Sequence, residues 1–139
     1  MKILISSSAI IYNDKNQVLL AKRSEGKKLD AGLWETIGGT IEFGESPLQC
    51  IKREIKEELG CKLKNIQLLD VYSYVNTKLK TQLISVQYIA QIERFPKFNK
   101  KEISELKWFS KRDATKLKFS VNCKERVLAY FERIKSRDG

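Results

Sequence analysis

Apolar and polar positions alternate in short runs along this chain, and two stretches switch to a helical period. Residues 3–12 are apolar and β-branched, Asn13-Asp14-Lys15-Asn16 reads as a turn, and residues 17–23 resume the apolar pattern, which predicts a hairpin. Residues 24–32 form a polar, basic loop containing Lys27 and Lys28. Residues 33–36 and 40–43 are short strand candidates on either side of Gly38-Gly39. Ser46 then suits an N-cap, Pro47 the first helical position, and Gly60 the stop of a helix. Residues 66–75 and 82–92 read as two strands joined by Asn76-Thr77-Lys78. A basic loop at 95–101 and a short strand at 106–109 follow, and residues 121–134 have helical spacing at Val121, Val127, Leu128, Phe131 and Ile134. No repeat, low-complexity segment or linker interrupts the pattern, which predicts one α+β domain over residues 1–139 with two main helices.

Composition narrows the chemistry. A chain of 139 residues, 42% hydrophobic and 32% charged, can bury a core without staples. No apolar run is long enough to span a bilayer. The start, MKILISSSAII, is faintly like an export signal but lacks a small-residue cleavage site, and a first strand is the preferred reading. Twenty-seven Lys and Arg face 17 Asp and Glu, a net charge of +10. That surplus suits polyanionic partners such as nucleotides, nucleic acid or an acidic membrane, or serves solubility alone. Three cysteines without a CxxC argue against a disulfide framework or a zinc knuckle and fit a reducing cytoplasm. The absence of histidine removes Ser-His-Asp and Cys-His nucleophiles, His-ligated zinc and imidazole acid-base chemistry. An enzyme built from this chain works with carboxylates, Lys, Tyr, Cys or a hard metal ion.

The helix after Ser46 carries the sharpest signal. At 100° per residue, Leu48, Ile51, Ile55 and Leu59 form one stripe, expected to face the core. Glu54, Glu57 and Glu58 fall on one flank of it, and Lys52 and Lys56 on the other. Like charges at i,i+3 and i,i+4 cost a few tenths of a kcal/mol per pair. A divalent cation turns that repulsion into attraction, since Mg²⁺ and Mn²⁺ prefer oxygen ligands. An ordinary charged helix is the competing reading. Gly38-Gly39 lets the backbone approach a ligand and can present a carbonyl to a metal, or it is simply a tight turn. An Arg53 contact to Glu45 would hold the preceding loop against the helix.

Gly39, five residues, Glu45, seven residues, Arg53-Glu54-Ile55, one residue, Glu57-Glu58, one residue, Gly60: this spacing resembles the Nudix box at every fixed position. Cys61 stands where the family usually has an aliphatic residue, and Ile37 where many members have Pro. LLAKRS and LWETIGGTIEFGE are similar to the family's approach strands, and KKEISELKWF to the later loop and strand that carry an extra acid in MutT-type members; Glu102 occupies that position.

The resemblance implies an α/β/α sandwich around mixed sheets and a hydrolase, using Mg²⁺ or Mn²⁺, of a nucleoside diphosphate linked to another group. It implies metal ligands at Glu54, Glu57 and Glu58 with a Gly38 or Gly39 carbonyl, and organising roles for Arg53 and Glu45. Glu102 would be an extra ligand or the general base, with Glu54 the other candidate for the base. Lys22 and Arg23 are candidates for phosphate contacts or are a solvated strand end. Asn122 resembles a base-reading Asn or simply caps the last helix. Trp34, Tyr72, Tyr74 and Phe119 could stack on a base or sit in the core, and Trp108 is assigned to the core. The expected partner is a nucleotide, with no membrane and no obligatory nucleic acid, and the protein a monomer or homodimer. A MutT-like (d)NTP pyrophosphohydrolase is the leading reading. ADP-ribose, a dinucleoside polyphosphate, a capped RNA end or a non-catalytic binding module are the alternatives.

Overall fold

The structure is a computed structural model that describes residues 1–25 and 31–138. Lys27 and Lys28 of the expected basic loop lie outside the described residues. The element order is β1 (Lys2–Tyr12), β2 (Val18–Arg23), β3 (Trp34–Glu35), β4 (Ile37–Thr40), α1 (Pro47–Leu59), β5 (Leu63–Asn76), β6 (Thr81–Ile92), β7 (Ile103–Phe109), α2 (Lys111–Ala114) and α3 (Cys123–Asp138). The mixed sheet runs β3-β2-β1-β6-β5, with β4 added to β1 and β7 to β2. β1 and β6 are parallel over ten residue pairs, and the other pairings are antiparallel.

The sheet's two faces follow from alternation along β1 and β2. Ala9, Ile11, Leu19 and Ala21 turn to one face, where Ile51, Ile55 and Leu59 of α1 cover them. Ile10, Val18 and Leu20 turn to the other, covered by Val127, Tyr130 and Phe131 of α3 together with Ala114 of α2. Helix, sheet and helix make the expected α/β/α layers. Trp34 belongs to the second core, edge-on to Phe109 with ring centroids 4.8 Å apart, so it is not free to stack on a base. Phe119 packs against the same core, and Trp108 packs partly buried against the first.

Local chemistry sets the ends of α1. Ser46 Oγ accepts from Gln49 N at 3.1 Å while Gln49 Oε1 accepts from Ser46 N at 2.8 Å, a reciprocal capping box. Gly60, at φ +63°, closes the helix in the left-handed conformation, as its position predicts.

Four expectations are corrected. The strand placed at 40–43 runs instead over Ile37–Thr40, pairing Gly38 with Ser8 and Gly39 with Ser7. A Cβ on Gly38 would stand 2.7 Å from Ser8 Cα, so the glycines permit a close backbone approach inside a strand rather than a break between two. Leu48, in the first turn of α1, is 38% exposed, and Cys50 is buried in its place. Val121 is 74% exposed, since α3 begins two residues later. The short α2, capped by Ser110, has too few turns to show a period in sequence. No helix among the described residues is long and apolar enough to cross a membrane.

Candidate active site

Burial of Ile51, Ile55 and Leu59 fixes the rotation of α1 and so presents Arg53, Glu54, Glu57 and Glu58 together along one flank. Arg53 is the hub. Its Nε and Nη2 donate to the two oxygens of Glu45 at 2.6 and 2.9 Å, a forked pair, and Nη2 also donates to the Thr40 carbonyl at 3.2 Å. The expected Arg53–Glu45 contact is therefore present and ties the loop before α1 to its middle. From the same guanidinium, Nη1 donates to Glu54 Oε1 at 2.8 Å and to Glu57 Oε2 at 3.4 Å. Glu45 also accepts from the Glu42 amide at 2.9 Å. Hydrogen bonding from Arg53 first, and from that amide second, holds the Glu45 carboxyl down at about 2. The same bonds keep Arg53 protonated above its ordinary range.

Glu54 lies over the glycine pair. A Cβ on Gly39 would overlap its carboxyl carbon and come within 2.8 Å of Oε2, so any larger residue here forces the Glu54 carboxyl to turn away from this cradle. The Gly39 carbonyl takes a weak contact from Cys50 Sγ at 3.5 Å.

Glu58 is largely buried, and its carboxyl is pushed up to about 8. Burial is the main cause, followed by the charges of Glu54, Glu35, Glu102 and Glu57. Four carboxylates from three separate parts of the chain thus act on Glu58. Glu102 reaches it from the turn before β7, where its carbonyl accepts from Ser24 N at 3.1 Å. Glu35, from β3, is a member that sequence reasoning missed. Its signal was present in LWETIGG, an acid two residues before the strand that holds the glycines, but it lies outside the spaced box.

Among the described residues no three Cys, Asp or Glu side chains already converge as a cation cage, and Arg53 reaches in among the acids. The donor set nevertheless fits a hard divalent ion. It offers clustered carboxylates, one of them pushed toward its protonated form by burial and then by its acidic neighbours, beside a glycine cradle with a backbone carbonyl.

The remaining candidates lie elsewhere. Arg23 Nη1 is paired with Glu35 at 3.3 Å, so the strand end contributes to the acidic spot rather than standing alone in solvent. Lys22 is half-buried beside it, and its carbonyl accepts from Ser104 Oγ at 3.3 Å. Asn122 does not cap α3: its φ is +69°, whereas a cap residue is extended, and its side chain makes no hydrogen bond among the described residues. Instead it borders an open cleft of about 620 Å³ with Leu4, Tyr74, Leu83 and Val121. No member of the acidic flank lines that cleft. Tyr72 and Tyr74 stack on each other with centroids 6.2 Å apart. The Tyr74 hydroxyl is buried without a hydrogen-bond partner among the described residues, and burial pushes it up to about 12.

Behind Asn122 sits a second missed residue. Arg126, 8% exposed, donates from Nη1 to Ser8 Oγ and Ser85 Oγ, both at 3.0 Å, from Nη2 to Cys123 Sγ at 3.2 Å, and from Nε to the Asn122 carbonyl at 3.0 Å. It pins the start of α3 to β1 and β6 through neutral partners. A lone Arg on a helix gives no hint in sequence that it is buried.

The family described as NUDIX domain matches residues 2–131. The chain is 45% identical over 60 residues to an RNA pyrophosphohydrolase of Ruthia magnifica subsp. Calyptogena magnifica, an alignment covering 43% of this chain and 31% of that protein. It is 34% identical over 84 residues to the 8-oxo-dGTP diphosphatase of Haemophilus influenzae, covering 60% of this chain and 59% of that one. The chain thus spans less than two thirds of the length of these curated relatives. In fold it is similar to the crystal structure of a MutT NUDIX hydrolase from Burkholderia pseudomallei, with a TM-score of 0.79 and 23% identity over 93% of this chain and 98% of the other.

Proposed function

The chain belongs to the NUDIX family, and on that footing we propose that it is a divalent-metal-dependent hydrolase of nucleoside diphosphate derivatives, with nucleoside triphosphates as its first substrate class. The products would be a nucleoside monophosphate and pyrophosphate. The observation that carries this reading is the acidic spot around Glu58, fed by Glu35, Glu54, Glu57 and Glu102 and set against the Gly39 cradle.

Glu54, Glu57 and Glu58, with the Gly38 or Gly39 carbonyl and Glu102 as a further donor, would hold Mg²⁺ or Mn²⁺. When bound, such an ion screens the diphosphate charge and lowers the pKa of the attacking water. Glu54 or Glu102 takes the proton as the water oxygen attacks phosphorus. The bridging P–O bond breaks, its electron pair leaving with the pyrophosphate oxygen. Arg53, held in a fork by Glu45, keeps Glu54 and Glu57 turned toward the spot. Lys22 and Arg23 receive phosphate oxygens, Arg23 exchanging part of its pairing with Glu35. Asn122, with an unengaged amide on the rim of the cleft, offers a donor and an acceptor to a base edge. The cytoplasm is the compartment this reading favours, since Cys50, Cys61 and Cys123 are free, buried thiols.

A second reading, removal of pyrophosphate from an RNA 5′ end, is favoured by the net charge of +10. One experiment addresses both. Phosphate and pyrophosphate release is measured on a panel of nucleoside triphosphates, ADP-ribose, dinucleoside polyphosphates and 5′-triphosphate RNA, with Mg²⁺ and with EDTA, for the wild type and Glu57→Gln. Metal-dependent release that the variant loses is expected. Tight RNA binding with no turnover on any substrate would overturn the hydrolase reading.

A further inference from the structure

Helix α1 covers only part of its side of the sheet. The strand register shows what it leaves open. Ile3 and Ile5 of β1 lie beside Gln82 and Ile84 of β6, which lie beside Val75 and Ser73 of β5; Val71 pairs with Val86, and Leu68 with Tyr88. Laterally paired residues share a face. Ser7, next along β1 on this face, donates to the Pro47 carbonyl at 2.9 Å, which marks where the first turn of α1 begins to cover it. Beyond that edge Ile3 is 65% exposed, Ile5 44%, Leu68 52%, Val71 51% and Val75 66%. Leu48 extends the same surface onto α1.

Two properties of this face select an occupant. The first is size. Taking roughly 200 Å² for a fully exposed large apolar side chain, the uncovered residues present roughly 600 Å², at the top of the range for the largest apolar patch of a typical monomer and at the low end of what each partner contributes to a standard interface. The second is charge. None of the face positions on β1, β5 and β6 named above is charged, although the chain carries +10 overall. Lys2 and Lys80 border the face at its Ile3–Val75 end; away from that end a second copy can approach without setting cation against cation, and an acidic partner finds nothing to pair with. A flat three-strand apolar face also packs well on another such face about 10 Å away.

We propose that this open face is a two-fold interface, burying Ile3, Ile5, Leu68, Val71 and Val75 of one protomer against the same residues of a second copy of this chain. The face shares no residue with the acidic spot, and only its Val75 end borders the cleft beside Asn122, so the dimer stands whether or not the chain hydrolyses nucleotides.

Sedimentation velocity over a concentration series, on the full chain, tests this. The wild type is expected at twice 16.1 kDa, dissociating only on dilution. Ile3→Lys and Val71→Lys, on different strands, should each weaken association at least thirtyfold by burying an unpaired charge at the centre of the interface, a hot-spot-sized loss. Ile3→Thr, milder and less able to disturb folding, should weaken it by a smaller factor. Lys124→Glu, on α3 across the sheet, should leave it unchanged. A wild type that stays monomeric at 100-fold above ordinary assay concentrations overturns the proposal, as does a dimer unaffected by all three face variants. Binding of a monomeric wild type to phosphatidylglycerol vesicles through Ile3 would assign the face to a membrane and equally overturn it.

Discussion

Replacing Glu58 by Gln should stabilise the metal-free protein, most of all at alkaline pH. In the folded chain the Glu58 carboxyl ionises near 8, against an ordinary value of 4.5. Between those values the unfolded chain has released the proton and the folded chain still holds it. Folded stability therefore falls as pH rises, by about 1.4 kcal/mol per pH unit. The favourable contribution is fully present below 4.5 and gone above 8. From pH 5 to pH 8, allowing for neighbouring carboxylates turning into solvent, the loss comes to about 3 kcal/mol, or roughly 10 °C in Tm for a domain of this size. The amide introduced by Glu58→Gln does not titrate in this range, so the variant's profile should be flatter by that amount and cross above the wild type. Urea denaturation at pH 5, 6.5 and 8 in EDTA reads the difference. Saturating Mg²⁺ should return about 2–3 kcal/mol to the wild type at pH 8 and much less to the variant. Parallel profiles for the two proteins would refute the reasoning, because Glu58 would then not be the residue held protonated by burial and its neighbours.

Three further outcomes are expected. Gly39→Ala places a methyl group against the Glu54 carboxyl and should lower kcat about a hundredfold with a stability loss of about 1–3 kcal/mol, read by turnover and denaturation on the same sample. Arg53→Lys keeps the charge but cannot form the fork to Glu45 or reach Glu54 and Glu57 together, and should cost about 10–100-fold in kcat with KM little changed. Asn122→Gly keeps the left-handed backbone while removing the amide, and should raise KM for the preferred base by about tenfold at nearly constant kcat and Tm.

Much of the fold was legible because strong local signals agreed with the packing. Ser46, Pro47 and Gly60 mark the ends of α1 by capping chemistry alone, and the stripe of Ile51, Ile55 and Leu59 sets which flank faces the acids. The Arg53–Glu45 contact was legible because both residues belong to one spaced motif. What failed was non-local. Gly38-Gly39 looked like a break between strands, and only the pairing with Ser7 and Ser8 shows why a strand needs residues without Cβ there. Leu48 and Val121 follow the helical period but sit where no partner layer covers them. Asn122 looked like a cap by type and position, yet its φ excludes that role. Glu35 and Arg126 join the acidic spot and the buried network from distant segments, and no spacing along the chain reports such a meeting.

The most direct test is Mn²⁺ binding followed by the electron paramagnetic resonance signal of the free ion, on the wild type and on Glu57→Gln and Glu58→Gln. Saturable binding is expected that tightens as pH rises toward 8 and weakens at least tenfold in each variant. Equal Mn²⁺ affinity in all three proteins would contradict the assignment of the α1 flank as the seat of the cation.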